Sequence, residues 1–310
     1  MLTVLFATRD RAVLLRKVLE AFCRLRPPPS GWKLVVVDNG SRDGTAEAIA
    51  SFKDRLPLQS IFEPAAGKNL ALNTGLQLLE GDLTVLTDDD VFPHPDWLVE
   101  LRRAADAQRD FSIFAGAILP RWEVPPPDWV KWTDPGPVYT LTDPTRPEGP
   151  LAPAMVFGPN MALRSGIFQS GIRFDPTMGP RGGSYPMGSE TELVLRLARQ
   201  GHSAWYAPAA VVEHFIRAEQ LRKDWVLRRA IRYGRGKYRL ACNPEAREAS
   251  AQVPRRRFLV KKIAKEGLII AAASVSARSE RVFQARWRLN YWRGQLAEAR
   301  ILGRISRNHR

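Results

Sequence analysis

Cysteine is scarce. The 310-residue chain has two, Cys23 and Cys242, far apart and outside any Cys-x-x-Cys pair. That argues against a disulfide framework or a cysteine zinc site and fits a reducing compartment. The opening stretch MLTVLFATRDRAVLL lacks a basic n-region and a small-residue cleavage site, so no signal peptide is expected. No apolar run reaches the ~18 residues that span a bilayer, and no internal repeat is present. The carboxyl-terminal third is short of acid: residues 217–310 hold 25 Lys and Arg against 7 Asp and Glu, whereas residues 1–216 hold 22 against 25. The chain's +15 charge therefore sits on a tail behind a near-neutral body, and the two are read separately. At 45% hydrophobic and 25% charged, the composition is that of an ordinary globular protein.

The body alternates. LTVLFAT at 2–8 is a short β-rich run, and RDRAVLLRKVLEAFCRL after it places Val13, Leu14, Val18, Leu19 and Phe22 near helical spacing. PPPSG at 27–31 breaks that helix. KLVVVD at 33–38 suits a strand buried on both faces. NGSRDGTAEAIASF reads as a turn and helix, LQSIFEP at 58–64 as a third strand, GKNLALNTGLQLL as a helix and GDLTVLTD as a fourth strand. This order predicts an α/β fold, a mostly parallel sheet flanked by helices.

Ligands of such sheets bind beyond the carboxyl ends of the strands. Three polar clusters fall there: Thr8-Arg9-Asp10, Asp38-Asn39-Gly40-Ser41 and Asp88-Asp89-Asp90. Asp38 and Asp43 read equally well as helix-cap or turn residues. The aspartate triplet is different. Three adjacent carboxylates repel one another, and a hard divalent cation is the natural partner. Further on, GSETELVLRLARQG at 188–201 pairs Ser189 with Glu192 as a capping box, predicting a helix start. Leu193, Val194 and Leu197 form its apolar stripe, with Glu190 on the same face. A carboxylate there must be neutralised, hydrogen-bonded or open to a cleft. Complementing the helix dipole is the plainer reading, and the better one for Glu192.

VVVDNGSRDGT, GKNLALNTG, TDDDVFPHPDWL, FGPNMALR and GSETELVLRLARQGHSAWYAPAAVVEH, in this order, resemble the family 2 glycosyltransferases. The resemblance spans roughly residues 1–216. It implies the GT-A (Rossmann-like) fold, with a nucleotide-sugar-binding half at 1–119 and an acceptor half at 154–216. It also implies inverting transfer of a sugar from a UDP- or GDP-sugar, assisted by Mn2+ or Mg2+. Thr8 and Asp38 would hold the base and ribose, with Arg9, Asn39 and Asn73 among the donor-binding residues. Asp88 and Asp90 look like the DxD pair, with Asp90 a metal ligand, Asp88 a ribose or metal contact, and Asp89 between them. Leu72 stands where one common version of the motif has arginine, and Lys68 would supply the charge near the diphosphate. Ser189-Glu190 stands where members commonly carry Glu-Asp, so Glu190 replaces the aspartate that serves as catalytic base. His214 would complete the metal site or contact the diphosphate; imidazole suits Mn2+ better than Mg2+.

Residues 120–153 are rich in Pro and Trp and lack periodicity, as functional or mobile loops do. Trp122, Trp129 and Trp132 would either stack on sugars or anchor the loop. Residues 170–188, rich in Gly and Pro, suggest a flexible lip beside Glu190. In the 217–310 tail, 217–240 reads as a basic amphipathic helix ending near Gly234, and ACNPEAREASAQVP as a linker. GLIIAAASVSA, with Lys/Arg clusters around it and Trp287, Tyr291 and Trp292 nearby, suits a helix in a membrane interface. A helical pair packed on the body with a solvated basic face fits equally. The combined expectation is a cytoplasmic enzyme, peripheral at the inner face of the cell membrane, acting on a glycan or lipid-linked acceptor of surface polysaccharide or glycoconjugate synthesis. Two other readings are weighed. A nucleotidyltransferase would need a Gly-rich basic loop near the start, and FATRDRAVLL has no glycine. Nucleic-acid binding through the tail is opposed by the acidic triplet.

Overall fold

The structure, a computed structural model, describes residues 1–247, 252–275 and 278–308. The chain divides into two compact units. Unit 1 comprises residues 1–121, 140–182 and 189–215, and unit 2 comprises 122–139, 183–188 and 216–310.

Unit 1 opens with β1 (Leu2–Thr8), α1 (Ala12–Phe22), β2 (Trp32–Asp38), α2 (Thr45–Ala50), β3 (Leu58–Phe62), α3 (Lys68–Gly75) and β4 (Leu83–Leu86). β5 (Val91–Pro93), α4 (Trp97–Ala107) and β6 (Ile113–Trp122) follow. After α5 (Pro135–Tyr139), which belongs to unit 2, come β7 (Gly149–Leu151), β8 (Met161–Arg164), α6 (Gly166–Gln169), α7 (Ser189–Arg199) and β9 (Ala204–Ile216). One sheet orders these strands β3-β2-β1-β4-β8-β6-β9-β5, with β7 on β9.

The four strands read from βαβ alternation are parallel neighbours. Beyond β4 the sheet is antiparallel at β4–β8, β6–β8, β5–β9 and β7–β9, so the whole is mixed. β1 and β2 are buried on both faces, as their unbroken apolar runs require: Val4, Leu5, Phe6 and Leu34 to Val37 are fully buried. α7 buries Leu193, Val194 and Leu197 in the same core as Leu5, Val35 and Val37. Each such side chain contributes about 1.5–3 kcal/mol. That burial fixes the rotation of α7 and aims Glu190.

In unit 2, α8 (Lys223–Cys242), α9 (Arg256–Val275) and α10 (Ser279–Asn308) build a small core around Tyr238, Leu259, Leu296 and Ala299. α8 does not stop near Gly234. A Cβ there would lie 2.0 Å from the Tyr291 carbonyl oxygen, and one at Gly236 would lie 1.8 Å from that of Met187. These glycines allow backbones to touch, which offsets their low helix propensity. Glu298 is fully buried and accepts from Arg235 Nε and Arg239 Nε, each at 2.8 Å. The linker expected at 241–254 lies partly outside the described residues. Among the described residues, no helix is long and apolar enough to cross a membrane.

Candidate active site

The three polar clusters do converge. Parallel register sets Thr8 beside Asp38 at the carboxyl ends of β1 and β2. Thr8 Oγ1 donates to Asp89 Oδ2 at 2.7 Å, joining the first cluster to the aspartate triplet. Asp10 turns through a left-handed backbone (φ 51°), which aspartate tolerates better than most residues. Its N–H donates to Ser41 Oγ at 3.0 Å, and its carboxylate accepts from the Arg42 N–H at 2.8 Å. Asp38 closes its own turn by accepting from the Ser41 N–H at 2.9 Å. Arg9 is half-exposed and lies 3.6 Å from Asp10. Burial, and then the charge of Asp90, push the Asp89 carboxyl up to about 6.

Lys68 begins α3, and Gly67 before it has a φ of 153°, where a side chain would be strained. The Lys68 ammonium is sandwiched between two carboxylates. It lies 2.7 Å from Glu190 Oε1 and pairs with Asp88 Oδ1. Burial disfavours the charged ammonium, but Asp88 and Glu190 outweigh it and raise its pKa. Burial pushes Glu190 up as well, and the Lys68 ammonium more than offsets it, holding Glu190 below the usual carboxylate range. Asp88 moves the other way: its own burial dominates, and Lys68 compensates only in part. The site thus holds an ionised carboxylate on the first turn of a rigid helix. Ser189 is the first helical residue, and its hydroxyl contacts Asn69 Oδ1. Glu192 pairs with Arg196 at 3.0 Å.

Asp90 and His214 meet through strand pairing. β5 aligns Val91 with His214, and the Phe215 N–H donates to the Asp90 carbonyl at 2.8 Å. Asp90 Oδ1 then stands 3.5 Å from His214 Nε2. Asp88 is engaged with Lys68 instead. Among the described residues, no group of three or more His, Cys, Asp or Glu is assembled to hold a metal. Asp90 and His214 offer one carboxylate and one imidazole, a pair that suits Mn2+, with phosphate oxygens of a donor as natural further ligands.

The asparagines of the site build its scaffold. Asn39 donates to the carbonyls of Glu63 and Ala65 at 3.0 and 2.7 Å and accepts from the Gly67 N–H at 2.9 Å, pinning the loop that delivers Lys68. Asn73 brackets the Phe174 backbone with two bonds of 2.9 Å. With Asn69 bonded to the Asp175 carbonyl and the Lys68 N–H bonded to that of Pro180, residues 174–180 are tied to α3. The start of the expected lip is therefore anchored.

Two contributors had no individual role in the sequence reading, although both lie in the FGPN stretch it singled out. Gly158 lies against the Glu190 arm: a Cβ there would come within 2.5 Å of Glu190 Cγ. Asn160 is fully buried, accepts from Trp97 Nε1 at 2.8 Å and donates to the Ala117 and Ala210 carbonyls. It locks α4, β6 and β9 together.

Residues 3–147 match the family model described as glycosyl transferase family 2. Those residues form a family 2 glycosyltransferase domain. The glycosyltransferase AglE of Haloferax volcanii is 33% identical over 99 residues, covering 31% of this chain and 32% of AglE. The chain thus spans about a third of that relative's length. Two solved structures share the fold. TarS 1-349 from S. aureus, in complex with UDP-GlcNAc, gives a TM-score of 0.56 at 12% identity, over 97% of this chain and 92% of that one. The mannosyltransferase PcManGT from Pyrobaculum calidifontis, in complex with GDP-Man and Mn2+, gives 0.50 at 19% identity, over 97% and 75%. The glycosyltransferase domain has the GT-A fold, and a helical carboxyl-terminal region follows it in the chain.

Proposed function

We propose that this chain is an inverting, divalent-metal-dependent glycosyltransferase. It takes a sugar from a UDP- or GDP-sugar and delivers it to a hydroxyl of a glycan or lipid-linked acceptor. The observation that carries this reading is Glu190: a carboxylate held ionised by Lys68, joined through that lysine to the aspartate triplet, beside the family 2 donor motifs. GDP-Man and Mn2+ in PcManGT, and UDP-GlcNAc in TarS, support the donor and metal class.

In this mechanism Thr8 and Asp38 hold the nucleoside at the β1 and β2 ends of the donor half, residues 1–119. Glu190, in the acceptor half at 154–216, accepts the proton of the acceptor hydroxyl. The oxygen–anomeric carbon bond forms as the bond from that carbon to the diphosphate oxygen breaks, and the nucleotide diphosphate leaves from the opposite face. Asp90 and His214 would hold the metal, Asp88 would contact the metal or the ribose, and Lys68, between Asp88 and Glu190, would set its charge near the diphosphate. When bound, the metal supplies neutralisation of the charge growing on the leaving group. The test combines the full-length protein with UDP-Glc, UDP-GlcNAc or GDP-Man and Mn2+, and follows nucleotide diphosphate release. Glu190→Gln should keep donor affinity and lower turnover by ~10²–10⁴-fold. Release by the folded variant within threefold of wild type, under ~1 kcal/mol of barrier, would remove Glu190 as the base.

We further place the enzyme at an anionic membrane surface through α9. Arg255, Arg257, Lys261 and Lys265 are exposed on or beside its first half, and Leu268, 73% exposed, projects from its second. Phe258 and Val260 add exposed apolar surface among the cations. Cations beside unburied apolar side chains fit an interfacial helix.

A further inference from the structure

Unit 2 contains a cavity of about 360 Å3 that the proposed reaction does not use. Its walls come from the Trp-rich loop and from α10. Trp132 ends a tight helical turn (Asp128–Trp132), and its ring lies 6.1 Å from that of Phe283, which is buried. The Lys223 ammonium stands 4.8 Å from the centre of the Trp132 ring and steadies it by a cation–π contact. Phe283 and Trp287 are four residues apart on α10, so they share one face. Gln284 and Arg288 repeat that spacing one position along, which sets a polar row beside an aromatic row. Arg288 is oriented by Glu266, 3.0 Å away. Asp134 also lines the cavity.

This lining is selective in kind. Trp132 and Trp287, backed by the buried Phe283, offer apolar ring surface, and Gln284, Asp134 and Arg288 offer planar, two-pronged hydrogen-bonding groups, with Lys131 and Thr133 completing the polar lining. Val138 is the one aliphatic residue in the lining. Gln284 donates to Glu280 at 3.0 Å and Asp134 accepts from the Gly136 N–H at 3.1 Å; an alkyl chain would shut water away from their remaining hydrogen-bonding positions, at a cost that disfavours it. An isolated phosphate would meet the Asp134 carboxylate, and the two cations of the lining, Lys131 and Arg288, are already paired with Asp128 and Glu266. A pyranose satisfies both rows, because its C–H face stacks on indole while its ring-edge hydroxyls donate to and accept from planar polar groups. The cavity volume lies at the small end of ligand pockets and matches one or two sugar rings.

We propose that this cavity is a saccharide-binding subsite in unit 2, holding one or two pyranose rings of a glycan chain. It is a binding site, not a second catalytic centre, and no donor-site residue lines it. The inference stands on unit 2 residues and survives failure of the glycosyl-transfer reading.

The test uses the full-length protein with EDTA and without nucleotide. Cellotetraose, maltotetraose, mannotetraose and chitotetraose are each titrated by saturation-transfer NMR. At least one should bind, and Trp287→Ala should weaken it about tenfold or more, the loss of a well-packed aromatic contact. Gln284→Ala, on the partly exposed row, should weaken it severalfold with an unchanged urea midpoint, which guards against misfolding of the tryptophan variant. The proposal is overturned if none of the four saccharides shows transfer. It is equally overturned if Trp287→Ala and Gln284→Ala both bind as wild type does, which would place the sugar outside this cavity.

Discussion

Lys68 Nζ lies 2.7 Å from Glu190 Oε1, across 122 residues of chain, and the same ammonium is paired with Asp88. One cation thus spans the carboxylate proposed as base and the first acid of the triplet. Removing it changes the protonation of Glu190 in a defined direction. Lys68 lowers the Glu190 pKa against burial, so Lys68→Met lets burial raise it. Glu190 then protonates at higher pH, and the acidic limb of the kcat/KM profile should move upward. A pH–rate series on both proteins measures this, and an unmoved limb would show that Lys68 does not set the base.

Asp90 stands beside His214 because β5 pairs with β9. Asp90→Ala should abolish Mn2+-dependent binding of UDP or GDP. Titration calorimetry with Mn2+ and with EDTA separates that loss from metal-independent binding. Equal affinity in wild type and variant with Mn2+ present would rule out the DxD assignment.

Gly158 is where the FGPN backbone meets the base. An added Cβ would come within 2.5 Å of Glu190 Cγ and 2.6 Å of Cδ. The carboxylate arm is flexible, so it should move rather than unfold the domain. Displacements of about 1 Å can cost ~10²-fold. Gly158→Ala should therefore reduce turnover by roughly 10- to 100-fold while shifting the urea midpoint little. Full activity would mean the arm has room to spare.

Glu298 is the acid shared by Arg235 and Arg239 inside unit 2. Truncating one member of a buried ion-paired group leaves charge uncompensated, at about 3–5 kcal/mol. Glu298→Ala should destabilise by that order, and Glu298→Gln by less, because its amide oxygen can still accept. Urea unfolding of the full chain tests the ranking.

Membrane binding through α9 has two separable parts. Each Lys or Arg near an anionic surface contributes about 1 kcal/mol, which salt screens; Leu268 and Val260 add a part that salt does not remove. Full-length protein should sediment with phosphatidylserine-containing vesicles, release partly as salt rises, and retain a residue at high salt. Val260→Asp with Leu268→Asp should remove most of that salt-resistant fraction, leaving only what Phe258 supplies. Sedimentation of the variant equal to wild type at high salt would clear α9 of the role.

The parallel half of unit 1 was legible in the sequence. Apolar runs at 2–8 and 33–38 with a helical period between them specify buried strands and a crossover, and parallel strands place their carboxyl ends on one edge. The convergence of Thr8, Asp38 and Asp89 follows from that geometry, before any side-chain contact is known. The strands β5 to β9 were not legible as a sheet, because antiparallel pairing joins segments far apart without a repeating helix to announce it. His214 beside Asp90 is therefore a tertiary fact, as is Lys68 between Asp88 and Glu190. Gly234 shows the limit most plainly. By local rules it ends a helix, yet α8 runs on to Cys242, because the glycine admits the α10 backbone. Periodicity records which face of an element is apolar. Which other element covers that face, and how closely, depends on strand order and loop closure, and these are decided only when the whole chain packs.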